Sequence, residues 1–307
     1  MVAVFGATAL GKTEVAVALA ERLGADVVVA DSMQVYAGLR LLTNQPDEVQ
    51  ARRVRHHLVG FVAPQREFTV AEYARRAHEV IDALRAAGRP VVVEGGSGLY
   101  LRAALGDLGF ASAPDPALRH DLEERWSQDR RAVLAELGAL DPATLARVDK
   151  ANPRRVIRAL EAVLVSGGPL PAAECDRLWR PAERYPHRLI ALAPNEDREA
   201  LKARIAARVG ETLVGGAVAE VAAARVAGPF SRTAGQAIGV KEICAHLDGG
   251  LGLDDVAARM TARTRALARR QITWMRKLPA TAVVTVAGRA PEAVAISLLS
   301  RLQPGAW

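Results

Sequence analysis

Apolar and polar positions follow two alternating periods in the N-terminal third of the chain. Short apolar runs at residues 2–5, 27–30 and 91–93 have the length of buried strands. Between them, apolar residues recur at helical spacing at 15–23 and 70–87, and a glycine follows each of these stretches. Buried strands that alternate with amphipathic helices are typical of parallel βαβ units. The pattern therefore predicts an α/β fold, a parallel sheet flanked by helices.

The pattern changes beyond residue 111. Ala113 to Pro116 has the composition of a linker, and the periodicity that follows is mostly helical. A short strand is predicted at 189–193, and long helical patterns with a last strand at 281–286 complete the chain. We therefore predict an α/β core in two parts, interrupted by a helical insertion domain, with boundaries at 1–111, 112–183 and 184–307. Trp126 and Trp179 are predicted to form the small core of the insertion.

A glycine-rich sequence lies between the first strand and the first helix. Residues 6–13 read GATALGKT, which fits the P-loop pattern GxxxxGK[ST]. In such a loop, backbone N–H groups at a helix N-terminus hold phosphate oxygens, the lysine reaches the terminal phosphate and the hydroxyl of the last residue holds Mg²⁺. The flanking strand and helix favour this reading over a chance glycine turn. We predict a P-loop-type core in which a diphosphate or triphosphate is bound by Gly6, Ala7, Thr8, Ala9, Leu10, Gly11, Lys12 and Thr13.

Two carboxylates follow buried strands, Asp31 and Glu94. Ligands of open α/β sheets bind at the carboxyl ends of the strands, so both are candidates to face the phosphate loop. Each carboxylate can instead cap the turn that follows its strand. The sequence leaves both interpretations open for each residue.

The composition of the 307 residues, half hydrophobic and 24% charged, is typical of a globular protein of one or two domains. No apolar run approaches the roughly 20 residues of a membrane-spanning helix, and the first residues lack a signal-peptide pattern. Cys175 and Cys244 are far apart and have no CxxC partner, which disfavours a disulfide framework or a zinc site. We expect a cytoplasmic protein without a membrane partner.

The net charge of +7 fits either a polyanionic partner or an arginine-rich coding bias. The position of the charges decides between them better than their sum. Residues 256–280 contain no acidic residue and seven basic ones: Arg259, Arg263, Arg265, Arg269, Arg270, Arg276 and Lys277. A solvated helix face normally mixes both signs, so this one favours contact with the phosphates of a polyanionic partner, through Arg263 and Arg270 among others. Trp274 is expected to fill a core between helices. A second cluster, Arg154, Arg155 and Arg158, fits either contact with such a partner or ion pairing with Glu161 or other acids.

Six short stretches follow the phosphate loop in a defined order: DSMQVY at 31–36, TNQP at 43–46, GGSGLY at 95–100, NPRRVIRALE at 152–161, QAIGVKE at 236–242 and RRQITW at 269–274. Together they resemble the tRNA dimethylallyltransferase family, also called tRNA isopentenyltransferases. The resemblance extends over nearly the whole chain. A P-loop alone is weak support for this family, whereas the ordered set is specific.

The resemblance implies transfer of a dimethylallyl group from dimethylallyl diphosphate to N6 of adenosine 37 in the tRNA anticodon loop, with Mg²⁺ bound at Thr13. Asp31 is expected to act as the general base, and Thr8 and Lys12 to assist catalysis. Lys241 is expected to reach phosphate. The partner is then the anticodon stem-loop of tRNA, and we expect the protein to be a monomer. The tRNA contacts that the resemblance implies are Asp31, Ser32, Met33, Gln34, Ser97, Arg119, Arg154, Arg155, Val156, Ile157, Arg158, Gln236 and Lys241.

The sequence departs from the family pattern at four positions: Leu10, Gln45, Glu94 and Val240. Glu94 stands where an apolar residue is typical. Three other functions remain in view. An isopentenyltransferase of free adenine nucleotides would need no basic helix, a small-molecule P-loop kinase would have no use for the stretch 31–36, and a catalytically weak tRNA-binding protein is suggested by Leu10 and Val240.

Overall fold

The computed structural model describes residues 1–109, 116–170, 182–194, 198–286 and 288–301. The chain forms two compact units, one made of Met1–Gly106 with Glu183–Trp307 and the other of Asp107–Ala182. The predicted boundary at 111/112, most of the predicted linker, Cys175 and Trp179 lie outside the described residues.

Eight strands are present in the described parts of the chain. They are β1 Val2–Gly6, β2 Asp26–Val29, β3 His56–His57, β4 Val91–Gly95, β5 Gly106–Asp107, β6 Ala182–Glu183, β7 Arg188–Ala193 and β8 Ala282–Thr285. Six of them form one sheet in the order β3-β2-β4-β1-β7-β8, and its neighbouring strands all run parallel. The α/β fold predicted from the sequence is therefore confirmed.

Fourteen α-helices are present in the described residues. They are α1 Lys12–Leu23, α2 Arg40–Thr43, α3 Glu48–Arg53, α4 Val70–Ala86, α5 Gly98–Leu105, α6 Pro116–Gln128, α7 Arg130–Leu140, α8 Pro142–Arg147, α9 Pro153–Ser166, α10 Arg198–Thr212, α11 Val218–Val226, α12 Val240–Leu247, α13 Leu253–Met275 and α14 Pro291–Arg301. A π-helical segment, Leu213–Ala217, connects α10 and α11, and a 3₁₀ turn, Ala234–Gln236, precedes α12.

Helices cover both faces of the large sheet. Alternate residues of a strand point to opposite faces, and Val2 and Val4 of β1 join a buried cluster with helix α1 and the C-terminal helix α14. Helix α4 packs on β2, where the buried hydroxyl of Tyr73 donates to the carbonyl of Val29 at 3.0 Å. Burial on both faces explains why these strands read as continuous apolar runs.

Strand register places three chain segments side by side at one edge of the sheet. Phe5 of β1 is paired with Gly95 of β4, and Val29 of β2 is paired with Glu94 of β4. The residues that follow β1, β2 and β4 therefore leave the sheet at the same edge. These residues are the phosphate loop, Asp31 and the glycine turn before α5.

The second unit has a separate helical core. Helices α6, α7 and α9 contribute its buried apolar residues, namely Leu122, Val133, Leu137, Val156, Ile157, Leu160 and Val163. Trp126 packs against this cluster, as predicted from the sequence. Asn152 caps α9 by accepting from the Arg155 N–H at 3.4 Å, and Pro153 occupies the first helical turn, where no backbone N–H is needed.

Candidate active site

The phosphate loop turns sharply between β1 and α1. Gly11, immediately before the helix, has φ +71°, and Ala9 also adopts a left-handed conformation with φ +62°. Gly11 takes up this conformation without the steric cost that a Cβ would add. The N–H groups of the first turn of α1 are not used by the helix itself. They are therefore available to phosphate oxygens, with the positive end of the helix dipole behind them.

Lys12 lies within this loop rather than in open solvent. It is partly buried, and its Nζ donates to the carbonyl of Ala7 at 3.4 Å. Burial lowers the pKa of Lys12, while the negative charges of Glu94 and Asp31 oppose that shift. Both carboxylates therefore lie close enough to interact with the lysine through their charge. The juxtaposition of Asp31 with the phosphate loop, which was only one of two interpretations of the sequence, is the one observed.

Asp31 is held in place by two groups. Its Oδ1 accepts from the Met33 N–H at 2.9 Å, and its Oδ2 accepts from the Ser97 hydroxyl at 3.4 Å. Ser97 also interacts with Ser32, whose N–H donates to Ser97 Oγ at 3.3 Å. Asp31, Ser32 and Met33 are half-buried, so each keeps an accessible surface. Ser97 thus links the loop after β2 to the turn after β4.

Gln34 differs from its neighbours because its side chain is buried. Its Oε1 has no hydrogen-bond partner in the described part of the chain. A buried polar atom without a partner is uncommon in folded proteins. Nearby, Tyr36 is buried and donates from its hydroxyl to Thr233 Oγ1 at 2.6 Å, which ties the loop after β2 to the segment that carries Gln236.

Glu94 lies within β4, not beyond it, and is 1% exposed. Its Oε1 accepts from the Thr13 hydroxyl at 3.4 Å. Burial and, to a lesser degree, the charge of Asp31 raise the pKa of Glu94, whereas Lys12 and the Thr13 hydrogen bond act in the opposite direction. The carboxylate therefore faces the phosphate loop, as one of the two sequence interpretations proposed, and does not cap a turn.

The glycine turn after β4 has no room for larger residues. A Cβ on Gly95 would lie 2.1 Å from the backbone oxygen of Ala30, and one on Gly98 would lie 2.3 Å from the ring of Trp274. These glycines therefore allow β2 and helix α13 to approach closely. The ring of Trp274 is used in this packing, in agreement with its predicted place in a core.

Gln271 is a site residue to which the sequence analysis gave no role. It projects from α13, is 6% exposed, and accepts from the Thr8 N–H at 2.8 Å through Oε1. Its Nε2 donates to the carbonyl of Gly96 at 2.9 Å. One amide thus fixes the phosphate loop to the glycine turn. The available signal was a polar residue at a position of α13 that faces inward, within the motif at 269–274.

A family model described as IPP transferase matches residues 34–278, which is more than half of the chain. The chain belongs to the IPP transferase family. The resemblance recognised in the ordered motifs is thereby confirmed.

Individual relatives match this chain over about nine tenths of its length. A tRNA dimethylallyltransferase of Geobacter sulfurreducens is 40% identical over 283 residues, which cover 91% of this chain and 90% of the relative. One from Bordetella petrii is 38% identical over 288 residues, covering 92% and 91%.

Solved structures agree with the fold. The tRNA isopentenylpyrophosphate transferase of Bacillus halodurans superposes with a TM-score of 0.72 at 29% identity, covering 98% of this chain and 94% of that one. A eukaryotic dimethylallyltransferase acting on tRNA has a TM-score of 0.80 at 23% identity, covering 99% of this chain and 80% of that one, so the two proteins share a fold.

Three of the four departures from the family pattern have structural roles in this transferase. Leu10 is buried in the main core, and Val240 is buried at the start of α12. Gln45 donates from Nε2 to the carbonyl of Tyr36 at 2.7 Å and to Thr43 Oγ1 at 3.1 Å. Glu94 is the departure whose side chain faces the phosphate loop.

The segment before α12 carries Gln236 and Lys241, both of which are exposed. Glu242 fixes this segment, because its Oε2 accepts from the Gly239 N–H at 3.1 Å. The exposed positions of Gln236 and Lys241 fit their predicted contacts, which stay predictions.

Arg263 has a structural role that the sequence analysis did not assign. Its Nη1 donates to both oxygens of Glu242, at 2.7 and 2.9 Å, and its Nη2 donates to the carbonyl of Gln236 at 3.2 Å. The guanidinium thus holds the segment before α12, and the predicted phosphate contact of Arg263 stays a prediction. Arg259, Arg269 and Arg270 of α13 are exposed, and the described residues contain no ion-pair partner for them.

In the insertion, three residues predicted to contact tRNA have structural roles. Val156 and Ile157, at 0% and 4% exposure, are core residues of α9, and their side chains are buried inside this unit. Arg119 is ion-paired with the buried Glu161, donating from Nε at 3.1 Å, and is a structural residue as well. Glu161 was the expected alternative partner of the arginine cluster. Arg154, Arg155 and Arg158 are exposed, and Arg155 lies 3.8 Å from Asp149.

No helix in the described residues combines the length and the apolar composition that crossing a membrane requires.

Proposed function

We propose that this protein transfers a dimethylallyl group from dimethylallyl diphosphate to N6 of adenosine 37 in the anticodon loop of tRNA and releases diphosphate. Family membership and the curated relatives named tRNA dimethylallyltransferase support the reaction. The observation that carries the assignment is the juxtaposition of a carboxylate, Asp31, with a loop built to bind linked phosphates.

The phosphate loop binds the leaving group. Free N–H groups at the start of α1 and the ammonium of Lys12 face the place where charge accumulates as the allylic C–O bond breaks. Lys12 is restrained by its contact with the Ala7 carbonyl, so it needs little reorganisation when the diphosphate arrives. Thr8 is positioned by Gln271, which fixes the start of the loop.

The residues present also fit Mg²⁺. This ion prefers oxygen ligands and is usually bound by one or two protein oxygens together with substrate phosphates and water. Thr13 lies in the first turn of α1, and its hydroxyl could bind the ion beside the loop. There the ion would neutralise charge on the departing diphosphate.

Asp31 receives the proton of the amine. An adenine amine is a poor nucleophile because its lone pair is delocalised into the ring, and a carboxylate is too weak a base to deprotonate it in advance. As the new C–N bond forms, positive charge develops on N6 and the N–H becomes acidic, and the proton then passes to the Asp31 carboxylate. The contacts with Met33 and Ser97 hold that carboxylate in one orientation.

The base must leave the anticodon-loop stack to reach Asp31. Extrusion costs a few kcal/mol, least for an unpaired base, and contacts of the basic surface with phosphates offset this cost. The exposed arginines of α13 supply such a surface in one unit, and those of α9 supply one in the other. A monomeric, cytoplasmic enzyme stays a prediction from the sequence.

The proposal is tested by incubating unmodified tRNA with the protein, dimethylallyl diphosphate and Mg²⁺, and then digesting the tRNA to nucleosides for mass analysis. We expect adenosine that carries one dimethylallyl group, and no product from the same tRNA with guanosine at position 37. A parallel incubation with AMP is expected to give no product. Transfer to AMP without transfer to tRNA would overturn the proposal in favour of a free-nucleotide enzyme.

A further inference from the structure

Glu94 has no part in the reaction as described above, although it is a buried carboxylate in the site. Its Oε1 accepts from Thr13 Oγ1 at 3.4 Å, and no other hydrogen bond to its side chain is formed within the described residues. Burying a charge with so few partners is costly. A function in this protein would explain why a carboxylate occupies this position in β4.

A carboxylate next to a diphosphate raises a second difficulty. Two anions in a partly buried site repel each other strongly, so Glu94 would oppose binding of the substrate unless a cation lies between them. The described residues show no hydrogen bond or ion pair between Lys12 and Glu94; the hydrogen bond that Lys12 Nζ forms is with the carbonyl of Ala7. The lysine therefore does not remove the repulsion by an ion pair of its own.

The arrangement of Glu94 and Thr13 fits a divalent ion. Oxygens on adjacent vertices of an octahedral magnesium site lie about 3 Å apart, given bonds of about 2.0–2.1 Å. The separation of 3.4 Å between Glu94 Oε1 and Thr13 Oγ1 is close to that value. Both are hard oxygens, which Mg²⁺ prefers, and both face the phosphate loop.

We propose that Glu94 is a second protein ligand, together with Thr13, of the divalent cation that accompanies the diphosphate. This inference rests on the proposed function, because it takes the diphosphate site from it. Glu94 thereby joins the metal site, to which the P-loop pattern had assigned Thr13 alone. The alternative is that Glu94 binds no metal and only offsets the positive charge of Lys12.

The two roles of Glu94 predict opposite changes in pyrophosphate affinity for Glu94→Gln when Mg²⁺ is present. If Glu94 holds a metal, Glu94→Gln binds inorganic pyrophosphate more weakly than the native protein when Mg²⁺ is present, and at least as tightly when Mg²⁺ is removed by a chelator. If Glu94 only offsets Lys12, Glu94→Gln binds pyrophosphate at least as tightly under both conditions. Titration calorimetry with inorganic pyrophosphate, with and without Mg²⁺, measures this difference.

A second measurement follows the metal directly. Free Mn²⁺ is measured by electron paramagnetic resonance in titrations of the full-length protein with saturating pyrophosphate. We expect about a tenfold loss of Mn²⁺ affinity in Glu94→Gln and in Glu94→Val, in the range seen when groups around a bound metal are removed. Glu94→Val introduces an apolar residue of the kind typical of the family, so it decides the question if Glu94→Gln does not fold.

The matched control is Asp26→Asn. Asp26 is a buried carboxylate of the same sheet, but it begins β2 and so lies at the opposite edge. Its variant is expected to keep native Mn²⁺ affinity. Native affinity in both Glu94 variants, or an equal loss in Asp26→Asn, would overturn the proposal. Neither measurement includes tRNA or a prenyl donor, so failure of the prenyl transfer reaction would be recognised separately.

Discussion

Replacing Gln271 with alanine removes both hydrogen bonds that join α13 to the phosphate loop and the glycine turn. The two bonds are 2.8 and 2.9 Å long, and the side chain is almost fully buried. Each polar group left without a partner costs about 1–3 kcal/mol. The Gly96 carbonyl is buried, whereas the Thr8 N–H can regain water, so we expect a total loss of about 2–4 kcal/mol in the free energy of unfolding.

Part of this loss is expected to appear in substrate binding, because the Thr8 end of the loop is no longer fixed. If 1.4 kcal/mol of it goes into reordering the loop, the affinity for the diphosphate falls about tenfold. Urea unfolding measures the first quantity, and the KM for dimethylallyl diphosphate with calorimetric pyrophosphate binding measures the second. Thr273→Ala is the control, since Thr273 is exposed on the same helix and donates only to the Arg269 carbonyl. Reduced stability with native pyrophosphate affinity would refute the reasoning, because Gln271 would then only hold the core together.

Three further predictions follow from the charged groups. Lys12→Ala is expected to raise the KM for dimethylallyl diphosphate roughly 10–100-fold, the value of a charge-assisted hydrogen bond, without changing tRNA affinity; an unchanged KM would argue against the phosphate-loop assignment. Arg270→Glu is expected to weaken tRNA binding and to make affinity less sensitive to salt: the negative slope of log affinity against log salt concentration decreases in magnitude by about one or more. An unchanged slope in filter binding would place α13 away from RNA. Burial raises the pKa of Asp26, but hydrogen bonds from His57 and Arg89 outweigh this and hold the pKa below its ordinary value of 3.8. The resulting stabilisation is present above that value and is lost as the pH falls through the folded-state pKa. Asp26→Asn is thus expected to cost about 1–3 kcal/mol in urea unfolding at pH 7 and progressively less as the pH is lowered below 3.8; a cost that does not change with pH would contradict this.

The parts of the structure that sequence analysis predicted correctly depend on local signals. The apolar run of β1, the glycine spacing of the phosphate loop and the helical period of α1 are contiguous in the chain, so each constrains the next. The predicted α/β fold followed from repeats of the same signals. Val156 and Ile157 also carry a local signal, one that indicates burial and not contact with tRNA. Their spacing with Leu160 and Val163 is that of a buried helix face, and the structure shows them in the core.

The remaining features depend on pairs that are distant in sequence. Arg263 pairs with Glu242 across a turn between two helices, and Arg119 pairs with Glu161 across two helices of the insertion. No sequence pattern distinguishes these arginines from arginines that face solvent. Gln271 and Thr8 are 263 positions apart, and only the packing of α13 against the sheet edge brings them together.

The central claim is that the Asp31 carboxylate takes the amine proton beside the bound diphosphate. Single-turnover transfer from dimethylallyl diphosphate to saturating tRNA tests it, with the native protein and Asp31→Asn compared and the tRNA dissociation constant measured in parallel. The account predicts a rate roughly 10²–10⁴-fold lower for the variant and a dissociation constant within about twofold of the native value. A native rate in Asp31→Asn, or a loss of rate fully explained by lost tRNA binding, would contradict it.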